Sequence, residues 1–277
     1  MHPITLTLAG QTVHALSIGG IETCFQVPTF DCCLDIGRCP PGATRFRTLL
    51  LTHGHIDHAA GLPYFVSMRA MHKQPPARVY CPRAAQEPLA RILEAWQALQ
   101  TDTDHVDLVG VGPGETVPLK NGYARTFASP HRIATIGYAL HRRVSKLRED
   151  LRGLPGVEIT ARVRAGETVH EVVERNELCF PGDTRIDVVA REPMVRTARV
   201  LLLECTFAGP DVSQAHARDG GHVHLDDIVA HADLFENEVL VLTHFSRRYE
   251  PDVIERRVRE ALPEHLSRRT VLLLHPR

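Results

Sequence analysis

The stretch LLLTHGHIDHAAGLP, residues 49–63, constrains the fold more than any other part of the chain. Three consecutive leucines read as a buried strand, and the run ends on His53, His55, Asp57 and His58. Alternate side chains of an extended segment point the same way, so His53 and His55 can grip one ion together. Beyond the strand the chain turns, and Asp57 and His58 can face a second ion nearby. Two ions about 3.5–4 Å apart form a clamp that activates water and neutralises a displaced oxyanion. A single histidine is ordinarily a satisfied loop residue. Four metal-capable side chains in six positions point instead to a metal site.

The rest of the chain fits a layered α/β fold. ITLTLAG, TVHALSI, ETCFQV and CCLDI are short β runs over the first 36 residues, separated by Gly, Pro and Asp. Helical composition follows from Ala59 to about His72, and VYC (79–81) reads as a short strand. In AAQEPLARILEAWQAL, helical spacing predicts a core-facing stripe of Leu89, Ile92, Leu93 and Trp96. Strands are expected at about 106–111, 123–128 and 135–141, then an excursion rich in Gly and Arg at about 142–166. The second half alternates: ELCF (177–180), RVLLLEC (199–205), a helix from about 225, EVLVLTHF (238–245), a helix from about 251, and TVLLLH (270–275). Such alternation indicates a layered α/β architecture. No linker divides the chain, so a single domain over 1–277 is expected. LLLTH at 49–53 recurs as LVLTH at 240–244, which suggests two similar halves whose strand ends meet at one site.

Composition narrows the setting. A net charge of −1 and a pI near 7 exclude wholesale polyanion binding, so any nucleic-acid contact must come from a local patch. Seven cysteines without a CxxC pair suggest reduced thiols in a cytosol-like compartment. MHPITLTLAG lacks the features of a secretory signal, and no apolar run approaches the roughly 20 residues of a membrane span. A soluble, cytoplasmic protein is expected.

A closed two-metal site needs more ligands. His131 follows an apolar strand, Asp183 stands in a Pro-Gly turn where a carboxylate could bridge two ions, and His244 ends the echoing strand. No cysteine has ligand spacing, so the donors are imidazole and carboxylate, which suits zinc best, with manganese or iron as alternatives. A water attack also needs a proton donor for the leaving group. Glu204 ends VLLLE, and His222 and His224 both stand in GGHVHLDD; spacing alone does not choose between the two histidines.

These residues together resemble the metallo-β-lactamase superfamily and, within it, ribonuclease Z, the family of transfer-RNA 3′-processing endonucleases. THGHIDHAAGLP, PHRIATIGYAL, PGDTR and LLLECTF are similar to the superfamily's metal and catalytic motifs, and LTHFSRRY to the signature of the ribonuclease Z branch. SIGGIETC, DIGRCP and HARDGGHVHLDDI look most like the short form found in plants. The resemblance implies a four-layer αββα sandwich with metals at one edge between the sheets. It implies one metal on His53, His55 and His131, a second on Asp57, His58 and His244, and Asp183 between them. Asp57 would also orient the attacking hydroxide, and Glu204 with His222 would protonate the departing oxygen. Asp35 in LDIG matches a buried aspartate that orients ligand imidazoles, and Ser246 and Arg248 match positions near the scissile phosphate. The family usually forms homodimers.

Two departures bear on the substrate. The Pro-x-Lys-x-Arg-Asn loop of many bacterial members is replaced by GQTVHALSIGG, and the usual long Gly-Pro-rich arm is short here. Between Arg132 and Arg164 stand eight Arg or Lys against three acidic residues, a patch that includes Arg142, Arg143 and Lys146 and could meet phosphates. The expected activity is removal of the 3′ trailer from precursor tRNA by a zinc-dependent phosphodiesterase. The alternatives are a hydrolase of a small phosphodiester such as a cyclic nucleotide, or of a thioester or lactone, and a non-catalytic RNA-binding member.

Overall fold

The computed structural model describes residues 1–100 and 106–276. Among them, one seven-stranded sheet runs in chain order: β1 (Ile4–Leu8), β2 (Gln11–Ile18), β3 (Glu22–Val27), β4 (Cys32–Leu34), β5 (Thr48–Leu50), β6 (Ala77–Pro82) and β7 (Val106–Val111). The second runs likewise: β8 (Thr116–Leu119), β9 (Gly122–Ala128), β10 (Ile136–Leu147), β11 (His170–Phe180), β12 (Val200–Glu204), β13 (Val239–Thr243) and β14 (Thr270–Leu272). Each sheet begins with four antiparallel strands and continues in parallel from its fourth.

The helices are α1 (Ile56–Ala59), α2 (Leu62–Met71), α3 (Arg83–Gln97), α4 (Gly156–Arg164), α5 (Asp187–Arg191), α6 (Pro193–Thr197), α7 (Gln214–Gly220), α8 (Leu225–Ala230), α9 (Pro251–Ala261) and α10 (Glu264–Ser267). The apolar strand runs are continuous because both of their faces are covered. Leu50 packs between the sheets, while Leu49 and Leu51 face Leu62, Phe65 and Leu89 of α2 and α3. Val200, Leu202 and Val241 fill the space between the sheets, and Leu201, Leu203, Leu240 and Leu242 meet the helices of the second half. The layers are therefore helix, sheet, sheet, helix. No described helix is long and apolar enough to cross a membrane.

The two halves suggested by the Thr-His echo exist, but the echo joins strands that are not equivalent. By place in its sheet, β5 corresponds to β12, and β13 corresponds to β6. The helix of 83–97 also corrects the reading of its stripe: Leu89 and Leu93 are buried, whereas Ile92 and Trp96 are half exposed. That helix needs only a narrow apolar seam, because just one of its sides meets the sheet.

The Gly- and Arg-rich excursion is longer than its composition suggests. β10 and β11 continue past the sheet as a paired ribbon, and α4 at its far end buries no residue. Its basic excess is largely neutralised. Over 132–180 there are nine basic and seven acidic residues, because the returning segment adds Glu167 and the strand after it Glu171, Glu174 and Glu177. Arg142 is thereby removed from the free patch. It pairs with Glu177 at 3.2 Å, which also holds Arg175 at 2.6 Å and Arg199 at 3.0 Å. Arg143 lies 3.6 Å from Glu174, and Lys146 stays exposed on the ribbon.

Candidate metal centre

The site forms where strands of both sheets end. His53 and His55 follow β5, α1 turns Asp57 and His58 inward, His131 follows β9, and Asp183 follows β11. Glu204 is the last residue of β12, and His244 comes directly after β13. His53, His58, Asp183, Glu204 and His244 are buried. Asp183 reaches this position through a turn only Gly182 permits: its φ is +72°, and a Cβ there would lie 2.7 Å from the side chain of Thr52. Asp35 (φ 55°) and His244 (φ 58°) also adopt left-handed backbone, a strain of about 1–3 kcal/mol each that residues without Cβ relief bear at functional positions.

Two donor sets share one carboxylate. His53 Nε2 lies 3.0 Å from His55 Nδ1 and 3.7 Å from Asp183 Oδ2, and His131 Nε2 is 3.3 Å from His55 Nδ1. In the second set His58 Nε2 and His244 Nε2 are 3.3 Å apart. Asp57 Oδ2 lies 3.3 Å from His244 Nε2, and Asp183 Oδ1 lies 3.2 Å from His58 Nε2 and 3.4 Å from His244 Nε2. Metal–ligand bonds of about 2.0–2.2 Å put neighbouring donors of a tetrahedral shell about 3.3–3.6 Å apart. The observed separations, 3.0 to 3.7 Å, bracket that spacing, so both sets fit a divalent cation.

Four of the five imidazoles are oriented by a hydrogen bond on the other nitrogen. Thr52 Oγ1 donates to Asp35 Oδ2 at 2.8 Å, so its hydroxyl accepts from His53 Nδ1–H at 2.9 Å. Asp35 also accepts from Thr52 N–H and lies 2.7 Å from His58 Nδ1. Thr206 Oγ1 donates to Glu204 Oε2 at 2.5 Å and accepts from His244 Nδ1–H at 2.9 Å. His131 Nδ1–H donates to Gly221 O at 2.8 Å. These bonds fix the rings so that four Nε2 atoms point into the site. Sequence reasoning found Asp35 but missed Thr52 and Thr206. The Thr-His echo would have suggested Thr243 for the second role, yet Thr243 Oγ1 donates to Leu203 O instead.

The two open choices at 222 and 224 separate cleanly. His222 Nδ1 lies 3.0 Å from Glu204 Oε1 and 3.9 Å from Asp183 Oδ2. His224 caps α8 by accepting from Asp226 N–H, and its other nitrogen bonds Gly209 O. Ser246 and Arg248 stand on the loop after His244. Ser246 Oγ accepts from Arg248 N–H, and Arg248 is paired with Asp211 at 3.1 Å.

The electrostatics match a cation site. Burial lowers the pKa of His53, His55 and His131, which keeps them neutral and able to ligate. Burial opposes the ionisation of Asp183, but His244 and His58 hold its carboxyl well below the usual range. Burial likewise opposes protonation of His58 and His222, yet neighbouring carboxylates prevail. Asp183 and Asp35 raise His58, and Glu204 pushes His222 up to about 9. Buried carboxylates here need positive charge, which protons or cations can supply.

Paired sheets with a rim of imidazole and carboxylate donors define the metallo-β-lactamase class of hydrolase fold. A family model described as a beta-lactamase superfamily domain matches residues 30–245. The chain is 35% identical over 271 residues to tRNase Z TRZ1 of Arabidopsis thaliana, covering 97% of this chain and 96% of that one. It is 32% identical to the chloroplastic tRNase Z TRZ2 of the same plant, covering 91% and 72%. The metallo-β-lactamase fold protein YhfI from Bacillus subtilis superimposes with a TM-score of 0.65 at 14% identity, covering 94% of this chain and 95% of that one. The chain belongs to the tRNase Z family of the β-lactamase superfamily.

Proposed function

We propose that this protein is an endonuclease that removes the 3′ trailer of precursor tRNA with two divalent cations, zinc being the best match to its donors. The observation that carries the reading is the pair of donor sets sharing Asp183, with the Glu204–His222 pair beside them. His53, His55 and His131 would hold one cation and Asp57, His58 and His244 the other. When bound, the cations supply Lewis acidity and lower the pKa of water at the site.

The protein's own groups do the rest. Asp57, fixed by Gly20 N–H at 2.9 Å, accepts a hydrogen bond from the attacking water and orients it. His222 holds its Nδ1–H against Glu204, so Nε2–H is the proton available to the leaving 3′ oxygen. The products are a 3′-hydroxyl on the tRNA and a 5′-phosphate on the trailer. Ser246 and Arg248 lie next to the scissile phosphate, and Arg143 and Lys146 of the ribbon meet RNA farther off.

The same reading covers the organisation of the molecule. It is one metallo-β-lactamase-like domain over 1–277, since the core between the sheets draws on residues from Leu8 to Leu273. Its seven cysteines are free and buried, which suits the reducing cytoplasm. It works as a homodimer, with the ribbon of β10 and β11 reaching toward the partner.

Incubation of metal-loaded protein with an end-labelled precursor tRNA, with and without chelator, tests the proposal. Chelator-sensitive release of an intact trailer is expected. Cleavage of a small chromogenic phosphodiester with the precursor left whole would transfer the chemistry to a small substrate, a reading that the nearly neutral ribbon favours.

A further inference from the structure

Two cationic side chains beside the centre have no acidic partner among the described residues. Arg132 follows the ligand His131, and Arg185 stands two positions after Asp183. Arg185 N–H donates to Pro130 O at 2.9 Å, so the two segments lie side by side. Arg185 Nε donates to Arg218 O at 2.7 Å, which anchors the guanidinium and leaves its two terminal amino groups unclaimed among the described residues. Arg132 sits against Gly221. A Cβ on that glycine, whose φ is +81°, would lie 3.1 Å from Arg132 Cγ and 2.6 Å from His131 Nδ1.

Neither arginine has a carboxylate within ion-pair distance among the described residues. Their neighbours differ: Arg218 is paired with Asp227 at 2.8 Å and Arg248 with Asp211 at 3.1 Å. A guanidinium held only by backbone keeps its fork for an outside anion, and a phosphate fits it bidentately.

Both arginines lie on the His222 side of the site. Gly221 immediately precedes His222, and the rings of His131 and His222 are 5.3 Å apart. In the reaction proposed above, His222 protonates the 3′ oxygen of the nucleotide that stays on the tRNA. That nucleotide's 5′ phosphate therefore falls on the arginine side, and the trailer on the other. We propose that Arg132 and Arg185 clasp this 5′-side phosphate and so set the direction in which the RNA strand crosses the centre. The inference rests on the endonuclease reading and adds the polarity of the strand.

The test uses full-length, metal-loaded protein and precursor tRNAs that carry one uncharged methylphosphonate linkage, either directly 5′ or directly 3′ of the scissile phosphate. Arg132→Gln and Arg185→Gln, singly and together, should raise KM for unmodified precursor on the order of tenfold to a hundredfold. The loss on a small chromogenic diester should be at least tenfold smaller. The salt dependence of RNA binding should become shallower by about 0.7 per arginine removed. The 5′ methylphosphonate should slow wild type but add nothing to the double variant, whereas the 3′ methylphosphonate should slow both alike.

Arg132→Gln breaks no side-chain hydrogen bond among the described residues, so it reports even where Arg185→Gln loosens the Arg218 turn. A wild type that cleaves precursor while the variants cleave equally well overturns the clasp alone. So does a double variant that remains sensitive to the 5′ linkage. A wild type that leaves precursor intact overturns the endonuclease reading, and the clasp with it.

Discussion

Thr206→Val tests the claim that a threonine distant in sequence orients the ligand His244. Valine keeps the shape and removes the hydroxyl that donates to Glu204 Oε2 and accepts from His244 Nδ1–H. The bond to the carboxylate is worth about 1.5–3 kcal/mol, and leaving the Nδ1–H of a buried histidine unpaired costs about 1–3 kcal/mol. The metal-free protein should therefore lose about 2.5–6 kcal/mol in urea unfolding. Loss of an outer hydrogen-bond partner lowers metal affinity about 10–100-fold, measured here as Zn2+ competition with a chromophoric chelator. Thr243→Val is the internal control. Thr243 precedes His244 in sequence as Thr52 precedes His53, yet its hydroxyl reaches only a carbonyl at 3.3 Å. It should cost about 1 kcal/mol or less and leave affinity within about twofold. Wild-type affinity in Thr206→Val, or equal losses in the two variants, would refute the reasoning.

Further substitutions separate the remaining roles. His222→Ala should cut turnover about 10²–10⁴-fold with metal content kept, whereas Asp183→Ala, whose two oxygens face different donor sets, should lose metal; equal metal loss by elemental analysis would mean that His222 is itself a ligand. In metal-free protein His222 is raised from 6.5 to about 9, so its stabilisation is complete below about pH 6.5 and lost as pH rises through 9. Urea unfolding at pH 6 and pH 9.5 should show this decline, and His222→Gln should make it shallower, with the share of His58 remaining; parallel behaviour of both proteins would argue against the Glu204 pairing. Reversal of Arg143 and Lys146 to Glu should weaken RNA binding and reduce its salt slope by about 0.7–0.9 per lost contact. Arg142→Glu should act differently, lowering the melting temperature because the new carboxylate faces buried Glu177.

Strand-end histidines were legible because their information is local. An apolar run followed by HxHxDH states both a covered strand and a donor cluster, and period two assigns His53 and His55 to one side. The exposed Ile92 and Trp96 were not legible, since helical spacing gives a face but not how much of it the sheet covers. The charge of the ribbon was misread for a similar reason. Arg142, Arg143 and Lys146 lie on β10, while the acids that answer Arg142 and Arg143 lie on β11, and only strand pairing puts Arg142 on Glu177 and Arg143 beside Glu174.

The sequence alone determined the α/β layering and the donor types, because side-chain period and ligand chemistry reside within a few residues. Tertiary structure decided which atoms meet. Asp183 joins the two donor sets, Glu204 selects His222 over His224, and Thr206 turns His244 from 38 residues away. A hydrogen bond depends on distance and direction in space, and no local pattern in a chain encodes where two remote strand ends come to rest.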